Sequence, residues 1–79
     1  MKTPLSTLAD IAVGQSGVIM ECTLPGKIKE RFAEMGLTPT TAVTVMRVAP
    51  LGDPIVIRAR GYELCLRKDT AKQFAVRPF

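Results

Sequence analysis

The sequence predicts a mainly β domain with one short helix, forming a single unit over residues 1–79. Three observations predict it. Short runs rich in Val, Ile and other strand formers recur at 18–22, 43–48, 55–59 and 63–67, bounded by glycine or proline. Only one stretch, 27–35, repeats its apolar residues at helical spacing. With a last run at 74–77, that makes about five strands in 79 residues, too little chain for a sandwich of two sheets. They can curl into a small, partly open barrel that the helix closes at one end, which removes most free edges.

In chain order, Pro4–Asp10 is too short for a stable helix and reads as a turn that tucks Leu5 and Leu8 onto the domain. Gly14 and Gly17 bracket a turn before the strand Val18–Cys22, and Pro25–Gly26 breaks that strand. From Lys27 to Met35, Ile28, Phe32 and Met35 form one apolar stripe that must dock the helix, and Arg31 can pair with Glu34. Gly36 supplies a left-handed residue at the helix end, and Pro39 prevents continuation. The strands 43–48 and 55–59 follow. Alternation puts Ile55, Ile57 and Ala59 on one face, with Val56, Arg58 and Arg60 on the other. Arg60–Tyr62 offers a turn into 63–67, where Leu64 and Leu66 face inward while Glu63, Cys65 and Arg67 face out. Lys68–Gln73 reads as one helical turn before the last strand.

The most informative run is 47–57. Pro50 and Pro54 fix φ and remove two donors, so no ladder can pass through them. Gly52 can adopt φ > 0 and Asp53 can accept from nearby backbone amides. The product is a stiff loop carrying Leu51, which has little core to reach and can face a partner. A loop of this build also serves simply to set the register of its two strands.

Composition narrows the function. A hydrophobic share of 47% excludes disorder, and a 5% aromatic share leaves an aliphatic, β-branched core. No run approaches the ~20 apolar residues of a membrane span. Met1–Pro4 carries one lysine, with neither an apolar region nor a cleavage site of the secretory type. Cys22 and Cys65 fit no metal-ligand spacing and sit in apolar runs, where free cysteines behave as small buried hydrophobes. A cytoplasmic location is the expectation. Eleven basic and seven acidic side chains give a net charge of +4, suited to an anionic partner or an acidic membrane face, at most peripherally.

Histidine is absent, which removes the commonest general base, metal ligand and pH switch. No base lies near Cys22, Cys65 or Ser16 in sequence, and Glu30 and Glu34 read as solvated. Gly14–Gly17 lacks the lysine of a phosphate-binding loop. No enzyme, cofactor or metal site is therefore expected. Asp10, Glu21, Asp53, Glu63 and Asp69 are scattered, and ferrous iron favours imidazole with carboxylate. Two binding functions remain. Arg58, Arg60 and Arg67, with Lys68 beside them, can form a basic outer face for nucleic acid, but only Tyr62 is at hand to stack a base. The other is a protein-docking module.

Met35-Gly36-Leu37-Thr38-Pro39, then Arg47 to Pro54, then Gly61-Tyr62-Glu63-Leu64 and Leu66-Arg67 resemble the signature of the FeoA family, over almost the whole chain from Leu5 to Val76. One residue departs from that pattern: the family usually has glycine where this chain has Thr40. The resemblance implies an SH3-like β-barrel. It also implies a non-enzymatic, cytosolic accessory role in bacterial ferrous iron transport, acting by contact with the cytosolic portion of the membrane transporter FeoB. A nucleic-acid-binding barrel or a metal-responsive regulatory module is the alternative, and weak self-association is compatible with either. Shape selects the candidate contact residues: Leu51 and Asp53 in the braced loop, Leu37 and Pro39 at the corner after the helix, and Arg58 on the basic face.

Overall fold

The computed structural model describes residues 6–79. Strands β1 (Ser6–Thr7), β2 (Ser16–Cys22), β3 (Ala42–Val48), β4 (Ile55–Ala59), β5 (Tyr62–Leu66) and β6 (Phe74–Pro78) form one antiparallel sheet in the order β1-β6-β2-β3-β4-β5. Helix α1 spans Gly26–Glu34, α2 spans Lys68–Ala71, and a single 3-10 turn covers Leu8–Asp10. Among the described residues the sheet has six strands, where the sequence predicts about five. The additional one, β1, is two residues long and pairs Ser6 with Val76 and Thr7 with Ala75. Leu8 is fully buried, as the opening turn requires, whereas Pro4 and Leu5 lie outside the described residues.

The core is aliphatic. Ile19, Val43, Val45, Ile57 and Val76 point inward from four strands and surround Phe74. Two β-bulges keep that face apolar across irregular sequence. Between Ile19 and Glu21 the β2–β6 register shifts, so that Cys22 returns to the core; a second shift lies between Val45 and Arg47. A bulge turns an alternation that would otherwise fail into one that holds.

Helix α1 behaves differently from its sequence. Its stripe does not dock as a unit, because Ile28 is 44% and Met35 41% exposed, and no helical residue is fully buried. Phe32 alone reaches the core, meeting Phe74 edge-to-face with ring centroids 5.6 Å apart. Arg31 and Glu34 do not pair: the ion pair among the described residues is Arg47–Glu63. Gly36 ends the helix at φ 98°, and its amide donates to the Ala33 carbonyl at 3.0 Å. Leu37 then drops into the core and is 2% exposed.

The turn after Leu37 accounts for Thr40. Its φ is 73°, a left-handed value that a β-branched residue resists, and its amide donates to the Ile19 carbonyl at 2.7 Å. Ile19 in turn donates to the Thr41 carbonyl at 2.9 Å. The turn geometry that suits glycine is thus retained by a residue poorly fitted to it. Left-handed backbone costs an L-residue roughly 1–2 kcal/mol, part of which glycine returns as chain entropy. Thr40→Gly should therefore stabilise the domain by about 0.5–1 kcal/mol. Urea unfolding measures it, and a midpoint at or below that of the parent chain would refute it.

Asp10 fixes the opening turn. Its Oδ2 accepts from the Thr7 amide at 3.0 Å and from the Thr7 hydroxyl at 3.1 Å. These two bonds, the backbone one foremost, hold its carboxyl below the usual 3.8. A lowered folded-state pKa stabilises the fold fully above that usual value, and the contribution fades as pH falls through the folded one. Acidifying from pH 7 to pH 2 should therefore destabilise the parent chain more than Asp10→Asn, compared by chemical unfolding at both pH values. Equal losses would show that Asp10 carries no such linkage.

Candidate functional site

The β3–β4 connection, residues 49–54, is braced at both ends. The Ala49 amide donates to the Pro54 carbonyl at 3.0 Å, and the Gly52 amide closes a tighter turn onto the Ala49 carbonyl at 2.7 Å. The Asp53–Pro54 peptide is cis. Leu51 stands at the tip, 96% exposed, with its side chain outside the core. Asp53 turns the other way: its Oδ1 accepts from the Lys68 amide at 2.9 Å, at the start of α2. That bond satisfies one of the amides a helix start leaves free and pins the loop to the far end of β5. A cleft of about 380 Å³ beside the loop is lined by Asp53, Pro54, Cys65 and Arg67.

Of the five residues selected from sequence, Leu51 and Asp53 share this loop. Pro39 is exposed at the corner after α1, on a different part of the surface. Leu37 is withdrawn as a contact residue. It follows a helix whose other apolar residues stay half-exposed, and burying it in the core closes the sheet beneath the corner. Arg58 lies on the outer face of β4, paired in register with Thr44 on one side and Glu63 on the other.

The outer face is less basic than the sequence implies. Arg47 Nη2 lies 3.1 Å from Glu63 Oε1, and Arg58 sits opposite the same glutamate. Arg60 does not join them. It occupies a two-residue turn with Gly61, both at φ > 0, and its aliphatic stem crosses Gly36 at the end of α1. A cation there complements the partial negative charge of the helix C-terminus. Cys22 is buried, whereas Cys65 is an exposed free thiol on the outer face of β5, where strand alternation places it although the apolar run around it suggests burial.

Sequence reasoning missed a second concavity. Between the end of α1 and the β4–β5 turn lies a cleft of about 530 Å³, whose walls include Ala33, Met35, Arg60, Tyr62 and Leu64. The signal available was the pairing of an exposed-type Met35 with Tyr62 beside turn residues, but only the fold brings them together. Among the described residues, no three Cys, Asp or Glu side chains gather to hold a metal ion, and no helix is long and apolar enough to cross a membrane.

Comparison with known proteins fits this architecture. A family model described as the FeoA domain matches residues 6–78. The chain belongs to the FeoA family. Its membership links it to ferrous iron transport. A curated relative, the Fe(2+) transport protein A/Fe(2+) transporter FeoB fusion protein of Porphyromonas gingivalis (strain ATCC BAA-308 / W83), is 32% identical over 69 residues. That match covers 87% of this chain and 8% of the relative, so the chain spans a small part of the fusion protein's length. A FeoA-like protein from Clostridium acetobutylicum is 30% identical, with a TM-score of 0.84 over 96% of this chain and 88% of that one. FeoA of Stenotrophomonas maltophilia, solved with zinc and described as an SH3 domain protein, is 23% identical, with a TM-score of 0.73 over 89% of this chain and 87% of that one. The FeoA domain described here is accordingly SH3-like in fold.

Proposed function

We propose that the FeoA domain is a non-catalytic, cytoplasmic docking module that acts on the cytosolic portion of FeoB in ferrous iron transport. The observation that carries the proposal is the relative in which a matching segment is part of one chain with FeoB. Domains joined in one polypeptide work at high effective concentration, which is useful when their separate counterparts associate. The geometry supports the same reading. Leu51 is a large apolar side chain held away from the core on a loop braced by two backbone bonds and by Asp53. A preformed loop has little ordering entropy left to lose on binding, and a single desolvated side chain can dominate such a contact.

Nucleic-acid binding is the weaker reading, because Glu63 offsets both Arg47 and Arg58 and Arg60 is turned onto α1. Isothermal titration of the domain into purified FeoB cytosolic portion, with and without guanine nucleotide, tests the proposal. Saturable binding that changes little between low and high salt is the expected result. Affinity that instead collapses as salt rises, with equal binding to DNA, would mark a phosphate-directed contact. Absence of heat and of co-sedimentation at every nucleotide state would overturn the docking role.

A further inference from the structure

We propose that β5 is a homodimerisation edge, on which two copies of the domain pair antiparallel about a two-fold axis at Cys65. The inference starts from the β4–β5 hairpin. Its loop is the two residues Arg60 and Gly61, both left-handed, with Ala59 opposite Tyr62. This is the geometry of a type I′ turn, in which the flanking pair exchanges both of its hydrogen bonds. The ladder then alternates. Tyr62, Leu64 and Leu66 spend their backbone groups on β4, while Glu63 and Cys65 turn theirs away from it. Arg67 continues the pattern in extended conformation at φ −67° and ψ 146°. β5 ends the strand order, so among the described residues no other strand covers those groups. The opposite edge, β1, covers Ser6–Thr7 among the described residues.

An open edge of this kind takes another strand, and its register decides which. Only residues with outward backbone groups can form the bonded pairs of a new ladder. With the axis at Cys65, Glu63 faces the partner's Arg67, Arg67 faces the partner's Glu63, and Cys65 faces the partner's Cys65. All three pairs have the required parity. The charged pairs are of opposite sign, and Leu64 lies across from the partner's Leu66 between them. Moving the axis to Leu64 keeps the parity but sets Lys68 across from the partner's Arg60 and leaves Arg67 facing the left-handed Gly61. Like charges directly opposite destabilise such a pair. The Cys65 pair supplies two backbone bonds. Each Glu63–Arg67 pair adds one, from the Arg67 amide, because the Arg67 carbonyl already accepts from the Ala71 amide at 2.9 Å. Asp53 holds the Lys68 amide, which fixes where the strand ends and α2 begins. A second copy is favoured over a foreign strand because this edge is its own charge complement.

A five-residue edge covers less than a standard interface, so the dimer should be weak, with a Kd on the order of 0.1 mM. Sedimentation equilibrium up to about 1 mM should reveal a species of twice the 8.6 kDa chain mass. Each substitution enters the dimer twice. Glu63→Arg and Arg67→Glu singly should each weaken association about tenfold, and the double variant should restore it. Thermal midpoints show that each variant remains folded. Diamide should couple two chains through Cys65. The two thiols give up two protons and two electrons, reducing the diazene to its hydrazine. Bonded antiparallel pairs have Cα atoms about 5.5 Å apart, within disulfide reach. Cys65→Ser should abolish this coupling while leaving the sedimentation unchanged. A monomer at every concentration overturns the proposal, as does a dimer whose strength ignores the charge swap or whose coupling survives Cys65→Ser.

Discussion

Leu51→Asp should leave the domain as stable as the parent chain and weaken its binding to the cytosolic portion of FeoB at least tenfold, on the order of a hundredfold. The two halves of that outcome have separate causes. Stability is indifferent because Leu51 is exposed and its neighbours in the loop are held by backbone bonds and by Asp53, none of which involves the Leu51 side chain. Exposed substitutions of this kind usually fall within about 0.5 kcal/mol. Binding is sensitive because a leucine fully desolvated by a partner contributes roughly 1.5–3 kcal/mol, and a carboxylate in its place brings an unpaired charge into the contact. Calorimetry with FeoB and a urea titration of the variant measure the two halves. An unchanged Kd would move the docking surface off this loop, and an unfolded variant would make Leu51 part of the fold.

The loop could be recognised in sequence because its signals are local. Two prolines, a glycine and an aspartate within six positions leave few conformations, and an apolar residue among them has nowhere to hide. The strands were legible for the same reason: the alternation of Ile55, Ile57 and Ala59 survives as buried residues. What sequence left out depends on contacts between distant segments. Leu37 resembles Leu51, since both are leucines beside a glycine near a proline, yet one closes the core and the other stands in solvent. Only the placement of the β2–β3 side of the sheet decides between them. Arg60 alternates correctly with Arg58 on paper, but its left-handed turn breaks the alternation and sends it onto α1. The bulges after Ile19 and Val45 likewise depend on the partner strand, as does the single charge, Glu63, that offsets two arginines of the outer face. Cys65 exposes the limit of composition: an apolar neighbourhood in sequence became the open edge of a sheet.

The way α1 is attached makes Phe74→Ala the most damaging substitution for the fold. Phe74 is fully buried at the start of β6, where Cys22 on β2 is its register partner, and it is the ring against which Phe32 rests at an interplanar angle of 87°. Truncation removes the transfer energy of the ring and leaves a cavity that β-sheet neighbours on both sides cannot close, about 3–5 kcal/mol in comparable cores. A domain of this length has roughly 4–12 kcal/mol to lose, so the variant stands at or near the unfolding threshold. The effect should also be uneven. With Ile28 and Met35 half in solvent, Phe32 is the helix's main apolar contact with the core, and α1 at nine residues cannot persist alone. Helical ellipticity should therefore fall before the sheet signal does, and amides of α1 should exchange with solvent faster than those of β3 and β4. Phe32→Ala provides the comparison: it removes the aromatic edge and frees the helix, but it leaves the sheet core closed, so its urea midpoint should lie between those of the parent chain and Phe74→Ala. Equal losses for the two variants would mean that helix and sheet unfold as one cooperative block, and that Phe74 acts through α1 instead of through the barrel interior.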